Sequence, residues 1–262
     1  MIEWREANGG SLRYELIGAG AAALVLVHEM GGTLESWDRV LPMLARGRRV
    51  LRYDTRGAGA SSKLRGTADL DQMAEDLRAL LAALGIAEPV ALAGCAVGGA
   101  IAVRFAARFG ARALVAMAPA LGVAPERRQA TLDRARNAEE HGMAAGLDAL
   151  LDATWPAPLR TDMARFLSYR AKLLGNDPFS FAAINRMLAG LDMAADCAAI
   201  ACPTLLLAGR FDQLRPPALI ETLSHGIRGA RFAALDTGHF MALQTPELVA
   251  AEIDGFLAEF GS

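Results

Sequence analysis

Short, compact apolar runs alternate along the chain with longer stretches of helical period. Leu24–His28, Arg49–Asp54, Val90–Gly94, Ala113–Pro119, Thr204–Gly209 and Arg231–Asp236 are each bounded by Gly, Pro or Asp nearby. Short runs of this kind suit strands buried on both faces of a parallel sheet. Leu12–Ile17 instead alternates apolar with polar, as a strand in an antiparallel edge does. Helical patterns cover Leu34–Leu44, Leu70–Leu84, Val97–Phe109, Pro217–Leu223 and Pro246–Phe260. In the second of these, Leu70, Met73, Leu77, Leu80, Leu81 and Leu84 form one continuous apolar stripe. Strand–helix–strand repetition with short connections predicts an α/β fold with a mostly parallel, doubly wound sheet.

The alternation stops between about residues 121 and 193. Only helical patterns occur there, interrupted at Gly142, at Pro156–Pro158 and at Asn176–Pro178. Such a span is far too long for a loop inside a compact domain. It predicts an inserted helical cap over residues 121–193, with residues 1–120 and 194–262 forming the core.

Composition narrows the classes without choosing among them. With 262 residues, 53% hydrophobic and 21% charged, the chain can bury a sizeable core. The net charge of −2, with both signs spread along the chain, gives no reason to expect nucleic acid or an anionic membrane as partner. The run Ala21–Val27 is too short to span a bilayer, and Met1–Gly10 lacks the basic-then-apolar layout of a signal peptide. Cys95, Cys197 and Cys202 are an odd count without metal-ligand spacing, read as reduced thiols in a cytoplasmic protein. The four histidines also show no ligand spacing, so no metal is expected.

The chemistry concentrates in Val90–Gly99, which reads VALAGCAVGG and passes from a strand into a helix. This is the context of a nucleophile elbow, in which glycines flank the apex of a sharp, strained turn. Gly94 and Gly98 hold the glycine positions, and Ala96 stands at the apex, where the nucleophile is expected. The next backbone N–H, that of Val97, opens a helix and is placed to help hold an oxyanion.

On these residues the chain resembles the α/β-hydrolase superfamily along its whole length. His28-Glu-Met-Gly-Gly32 stands where that family has its oxyanion loop, and by position Met30 supplies the second backbone N–H. Asp54-Thr-Arg-Gly-Ala-Gly-Ala-Ser61 matches an architectural turn of the family. Gly209-Arg-Phe-Asp-Gln-Leu-Arg-Pro216 matches the loop carrying the acid, implying Asp212, and Asp236-Thr-Gly-His-Phe240 the loop carrying the base, implying His239. In that chemistry the histidine accepts the nucleophile's proton and returns it to the leaving group, while the aspartate fixes the tautomer and stabilises the imidazolium. The resemblance assigns His28 a bracing role in the oxyanion loop. Glu29 departs from the family's usual glycine. It either turns away from the pocket or reads a polar substrate group.

Alanine has no group that attacks a carbonyl, so this chain forms no acyl-enzyme through position 96. Three readings stand open: a serine hydrolase seen as an inactivated Ser→Ala variant, a natural non-hydrolytic enzyme or small-molecule binding protein, or a nucleophile at the neighbouring Cys95. Within the superfamily the cap spacings, from Glu140–Leu147 through Leu150–Trp155 and Asn176–Phe179 to Leu191–Met193, resemble the 3-oxoadipate enol-lactonase-like group. That likeness implies hydrolysis of a small carboxylated lactone, ester or amide without a cofactor, with carbon–carbon hydrolases and general carboxylesterases also open. An anionic substrate wants an arginine facing the pocket. Arg210 and Arg215, which flank Asp212, are candidates, as are Arg127, Arg128 and Arg134 near the first cap helix. Trp155 and Phe179 either line the pocket or pack the cap core.

Overall fold

The computed structural model describes residues 1–20, 22–86 and 89–260. Ala21, the first residue of the apolar run Ala21–Val27, lies outside the described residues. The eight strands are β1 (Ile2–Ala7), β2 (Gly10–Ile17), β3 (Ala23–Val27), β4 (Arg49–Tyr53), β5 (Ala91–Cys95), β6 (Ala113–Met117), β7 (Thr204–Gly209) and β8 (Arg231–Leu235). They form one sheet in the order β1-β2-β4-β3-β5-β6-β7-β8. β1 and β2 pair antiparallel, β2 joins β4 antiparallel, and β4 through β8 run parallel.

Strands β3, β5, β6 and β7 are buried along their full length, as compact apolar runs demand. β1 has no apolar periodicity, because four of its six residues are exposed. Its place comes from its ladder to β2, with Trp4 opposite Arg13, and sequence patterning does not predict it.

Helices α1 (Leu41–Leu44), α2 (Leu70–Ala83), α3 (Val97–Phe109), α9 (Pro217–Ser224), α10 (Met241–Gln244) and α11 (Pro246–Ala258) lie between or after the strands. Helices α4 (Pro125–His141), α5 (Leu147–Thr154), α6 (Met163–Leu174), α7 (Pro178–Ala189) and α8 (Ala194–Ala199) occupy the interval between β6 and β7. The expected single helix over 34–44 is instead a 3-10 turn, Leu34–Trp37, followed by α1. Pro42 explains the break, since its ring cannot donate to, and clashes with, the carbonyl four residues back.

The stripe on α2 packs against α3 and β1, and Leu70, Met73, Leu77, Leu80 and Leu81 all join the larger core on that face of the sheet. α11 and α1 cover the opposite face with Val249, Ile253, Leu257 and Leu44. The buried Arg56–Asp76 pair, with bonds of 2.7 Å from Nε and Nη2, ties the β4–α2 connection to α2. No described helix is long and apolar enough to cross a membrane.

The winding places the site. From β3 the chain moves to β4 on one side and then crosses to β5 on the other. The loops leaving the carboxyl ends of β3 and β5 therefore diverge across a crevice, which is where open α/β sheets bind ligands.

Candidate active site

The turn between β5 and α3 carries Ala96 at φ 52°, ψ −113°. A side chain pays about 1–3 kcal/mol for such a backbone, so it persists only where the surroundings over-determine it. Here they do. The Ala96 N–H donates to the Met117 carbonyl at 2.9 Å, and the Ala96 carbonyl accepts from Ala100 and Ala120 at 3.1 and 3.0 Å. Gly98 brings the first turn of α3 against the Val27 and His28 carbonyls, where a Cβ would collide with both.

The loop after β3 is braced by His28. The Thr55 N–H donates to His28 Nε2 at 3.0 Å, so Nε2 is an acceptor and the proton sits on Nδ1. Nδ1–H then donates to the Glu29 carbonyl at 2.7 Å. Met30, in the same loop, and Val97 both line one cavity.

Loops after β7 and β8 bring Asp212 and His239 together. Asp212 Oδ2 accepts from His239 Nδ1 at 2.7 Å, and both side chains are buried. Asp212 Oδ1 accepts from the Leu214 and Arg215 N–H groups, each at 2.9 Å, which fixes the carboxylate. Two further bonds fix the His239 backbone: its N–H donates to the Thr154 carbonyl at 3.0 Å, and the Cys95 thiol donates to the His239 carbonyl at 3.3 Å. With Nδ1–H committed to Asp212, the lone pair of the neutral ring is on Nε2. Ala96, Val97, Met30 and His239 all line one cavity of about 640 Å³, together with residues of α4, α5, α7, α8 and α9.

Residues 18–233 match the family model described as serine aminopeptidase, S33. The chain belongs to the α/β-hydrolase superfamily. Over its full length it is similar to RutD of Azorhizobium caulinodans, provisionally named a carbamate hydrolase, at 30% identity over 97% of this chain and 98% of that one. The enol-lactonase structure from Burkholderia xenovorans superposes with a TM-score of 0.92 at 27% identity, covering 98% of this chain and 100% of the other. A shorter match, 44% identical, is to the dihydrolipoyllysine-residue acetyltransferase component of the acetoin cleaving system of Pseudomonas putida. It spans 38% of this chain and 27% of that protein.

The remaining candidates of this α/β-hydrolase separate into those on the cavity and those off it. Arg215 lines it, with two long bonds of 3.3 Å to the Gly122 carbonyl. Burial pushes its pKa down to about 10, against the attraction of Asp212. Arg210, five residues earlier on the same loop, is exposed, bonds the Ala234 carbonyl and lies 3.5 Å from Asp236, away from the cavity.

Trp155 is also off the cavity. Its indole is fully buried against Phe166 and Tyr169, at centroid distances of 5.6 and 5.7 Å, and its Nε1–H donates to the Leu159 carbonyl. This aromatic packs α5 against α6 and Phe240. Phe179 is half exposed and stacks near Arg65. Glu29 is buried off the cavity, its Oε1 accepting from Ser36 Oγ at 2.8 Å. Burial, reinforced by the Glu29 carboxylate, pushes both the Cys95 thiol and the Tyr169 hydroxyl well above their usual ranges.

Arg127 and Arg134, on α4, line the cavity together with Arg215. Arg127 donates to the Leu214 carbonyl at 2.9 Å, and Arg134 makes a single long contact of 3.5 Å to Asn185 Oδ1. Burial and the neighbouring Arg127 lower the pKa of Arg134. Thr154 had no marker in the sequence, because it holds His239 through a backbone carbonyl.

Proposed function

We propose that this site is built to hydrolyse a small carboxylated lactone, ester or amide through the Ser-His-Asp architecture of its family, with the covalent step missing because Ala96 occupies the nucleophile's place. The observation that carries the reading is the Asp212–His239 pair, 2.7 Å apart, on the same cavity as Ala96, Val97 and Met30. In that architecture His239 Nε2 takes the attacking group's proton, and Asp212 stabilises the imidazolium. The N–H groups of Val97 and Met30 would hold the developing oxyanion.

The carboxylated substrate class is supported by charge. Arg127, Arg134 and Arg215 face the cavity, and none has a carboxylate within 4 Å among the described residues. Interior arginines elsewhere are matched: Arg13 with Glu35 and Asp54, Arg52 with Glu15 and Asp38, Arg56 with Asp76, Arg104 with Asp196. Among the described residues the one acid lining the cavity, Asp192, is exposed and accepts from the Ala194 N–H at the start of α8. Arg127 is exposed, whereas Arg134 and Arg215 are half-buried, and a half-buried guanidinium without a carboxylate partner favours an anionic ligand.

Ala96 itself favours a second reading, a non-hydrolytic enzyme or binding protein on the same scaffold. Steady-state hydrolysis of a panel of activated esters and muconate-type lactones, by this chain and by Ala96→Ser, separates the two. The proposed function expects the Ala96→Ser protein to turn over carboxylated members faster than neutral ones. Equal inertness of both proteins across the panel favours the second reading.

A further inference from the structure

With no hydroxyl at position 96, the lone pair of His239 Nε2 remains on the cavity that Ala96 lines. Nδ1–H is held by Asp212, and among the described residues nothing hydrogen-bonds Nε2. Ala96 shares the cavity wall with His239, and its methyl ends one atom short of where a serine oxygen would stand. Cys95 does not fill the role, because its thiol is buried, does not line the cavity and donates to the His239 carbonyl.

We propose that this chain hydrolyses its substrate by single displacement, with water as the nucleophile and His239 as its general base. The inference rests on the hydrolase reading above and removes the acyl-enzyme from it. In the first step water oxygen bonds to the acyl carbon while Nε2 takes one water proton. The carbonyl π pair moves onto the carbonyl oxygen, which faces the Val97 and Met30 N–H groups. In the second step that pair returns, the bond from the acyl carbon to the leaving oxygen or nitrogen breaks, and Nε2 gives its proton to the leaving group. One ester, lactone or amide and one water become an acid and an alcohol or amine, with no other reactant. Arg127, Arg134 and Arg215 would hold the carboxylate at the far end, so that the acyl carbon is presented to the base by binding alone.

The test uses the 4-nitrophenyl monoester of glutaric acid, followed from the first milliseconds, with this chain and with Ala96→Ser, His239→Gln and Asp212→Asn. For this chain, nitrophenol release is expected to be linear from zero time, with no burst and no acyl transfer to added hydroxylamine. His239→Gln is expected to lower the rate about 10²–10⁴-fold, the usual worth of a positioned general base. It should also remove the rise of rate with pH, which a loss of packing alone would not do. Asp212→Asn is expected to lower kcat while the protein still melts cooperatively.

Ala96→Ser is expected to give a stoichiometric burst and acyl transfer. If Ala96→Ser bursts while this chain runs no faster than His239→Gln, single displacement is overturned and the hydrolase reading stands. If Ala96→Ser gives neither burst nor turnover, the hydrolase reading falls and this inference falls with it.

Discussion

Replacing Arg215 by methionine tests the anion-binding argument, because stability and binding should move in opposite directions. The guanidinium has no carboxylate partner within 4 Å among the described residues, and its bonds to the Gly122 carbonyl are long, 3.3 Å each. Burial pushes its pKa down from the usual guanidinium range to about 10. At about 1.4 kcal/mol per pK step, this opposes the charged form by at most about 3 kcal/mol. Solvent still reaches part of the side chain and screens the charge, and the long bonds to Gly122 return part of the cost. A net penalty of about 1–2 kcal/mol remains.

Arg215→Met is therefore expected to be more stable than the parent at pH 7 by that amount, a few degrees in Tm for a chain of this size. The folded pKa lies below the unfolded one, so the penalty is full below about pH 10 and fades as pH rises through it. The advantage of Arg215→Met should shrink over the same window. Binding should move the other way. Calorimetric titration of glutarate at pH 7 is expected to show a loss of about 10–100-fold in affinity, the worth of a hydrogen bond to a charged group. A variant that is less stable than the parent and binds glutarate as tightly would refute the assignment of Arg215 to the ligand.

Three further outcomes follow from the packing. Trp155→Ala should cost about 3–5 kcal/mol in urea unfolding, since the indole is fully buried among Phe166, Tyr169 and Phe240; a cost below about 1 kcal/mol would mean the cap does not depend on it. Ala96→Gly should raise stability by about 1 kcal/mol in thermal unfolding, because glycine adopts φ 52° without the Cβ conflict that alanine carries. Arg210→Ala should stay within about 0.5 kcal/mol of the parent and leave glutarate affinity unchanged, the guanidinium being exposed and turned from the cavity.

How much of this was legible in the sequence depended on whether a residue's neighbours are local. The parallel strands could be read because burial on both faces forces unbroken apolar runs, as in Thr204–Gly209, buried throughout. β1 could not, since its order comes from pairing across a hairpin with β2 rather than from its own side chains. The helical period over Leu34–Leu44 was real, yet Pro42 divides it.

Asp212 and His239 could be nominated together because Gly209–Pro216 and Asp236–Phe240 resemble the acid- and base-bearing loops of the α/β-hydrolase superfamily, each following a predicted strand. Arg210 and Arg215 show where that reasoning ends. They share one loop, which has no period, so nothing in their spacing says that one faces solvent and the other the cavity. Trp155 illustrates the same limit in the cap, where a buried aromatic and a ligand-lining aromatic have identical sequence signatures. Thr154 acts through its carbonyl, which no side-chain pattern encodes.

The central claim is that Ala96 stands where the nucleophile of an otherwise assembled hydrolase site belongs. Treatment of this chain and of Ala96→Ser with a serine-directed fluorophosphonate, followed by intact-mass measurement and peptide mapping, tests it most directly. The account predicts stoichiometric labelling of Ala96→Ser at position 96, abolished by adding His239→Gln, and no labelling of the parent. An unlabelled Ala96→Ser protein, or label on the parent chain at another residue of the cavity, would contradict it.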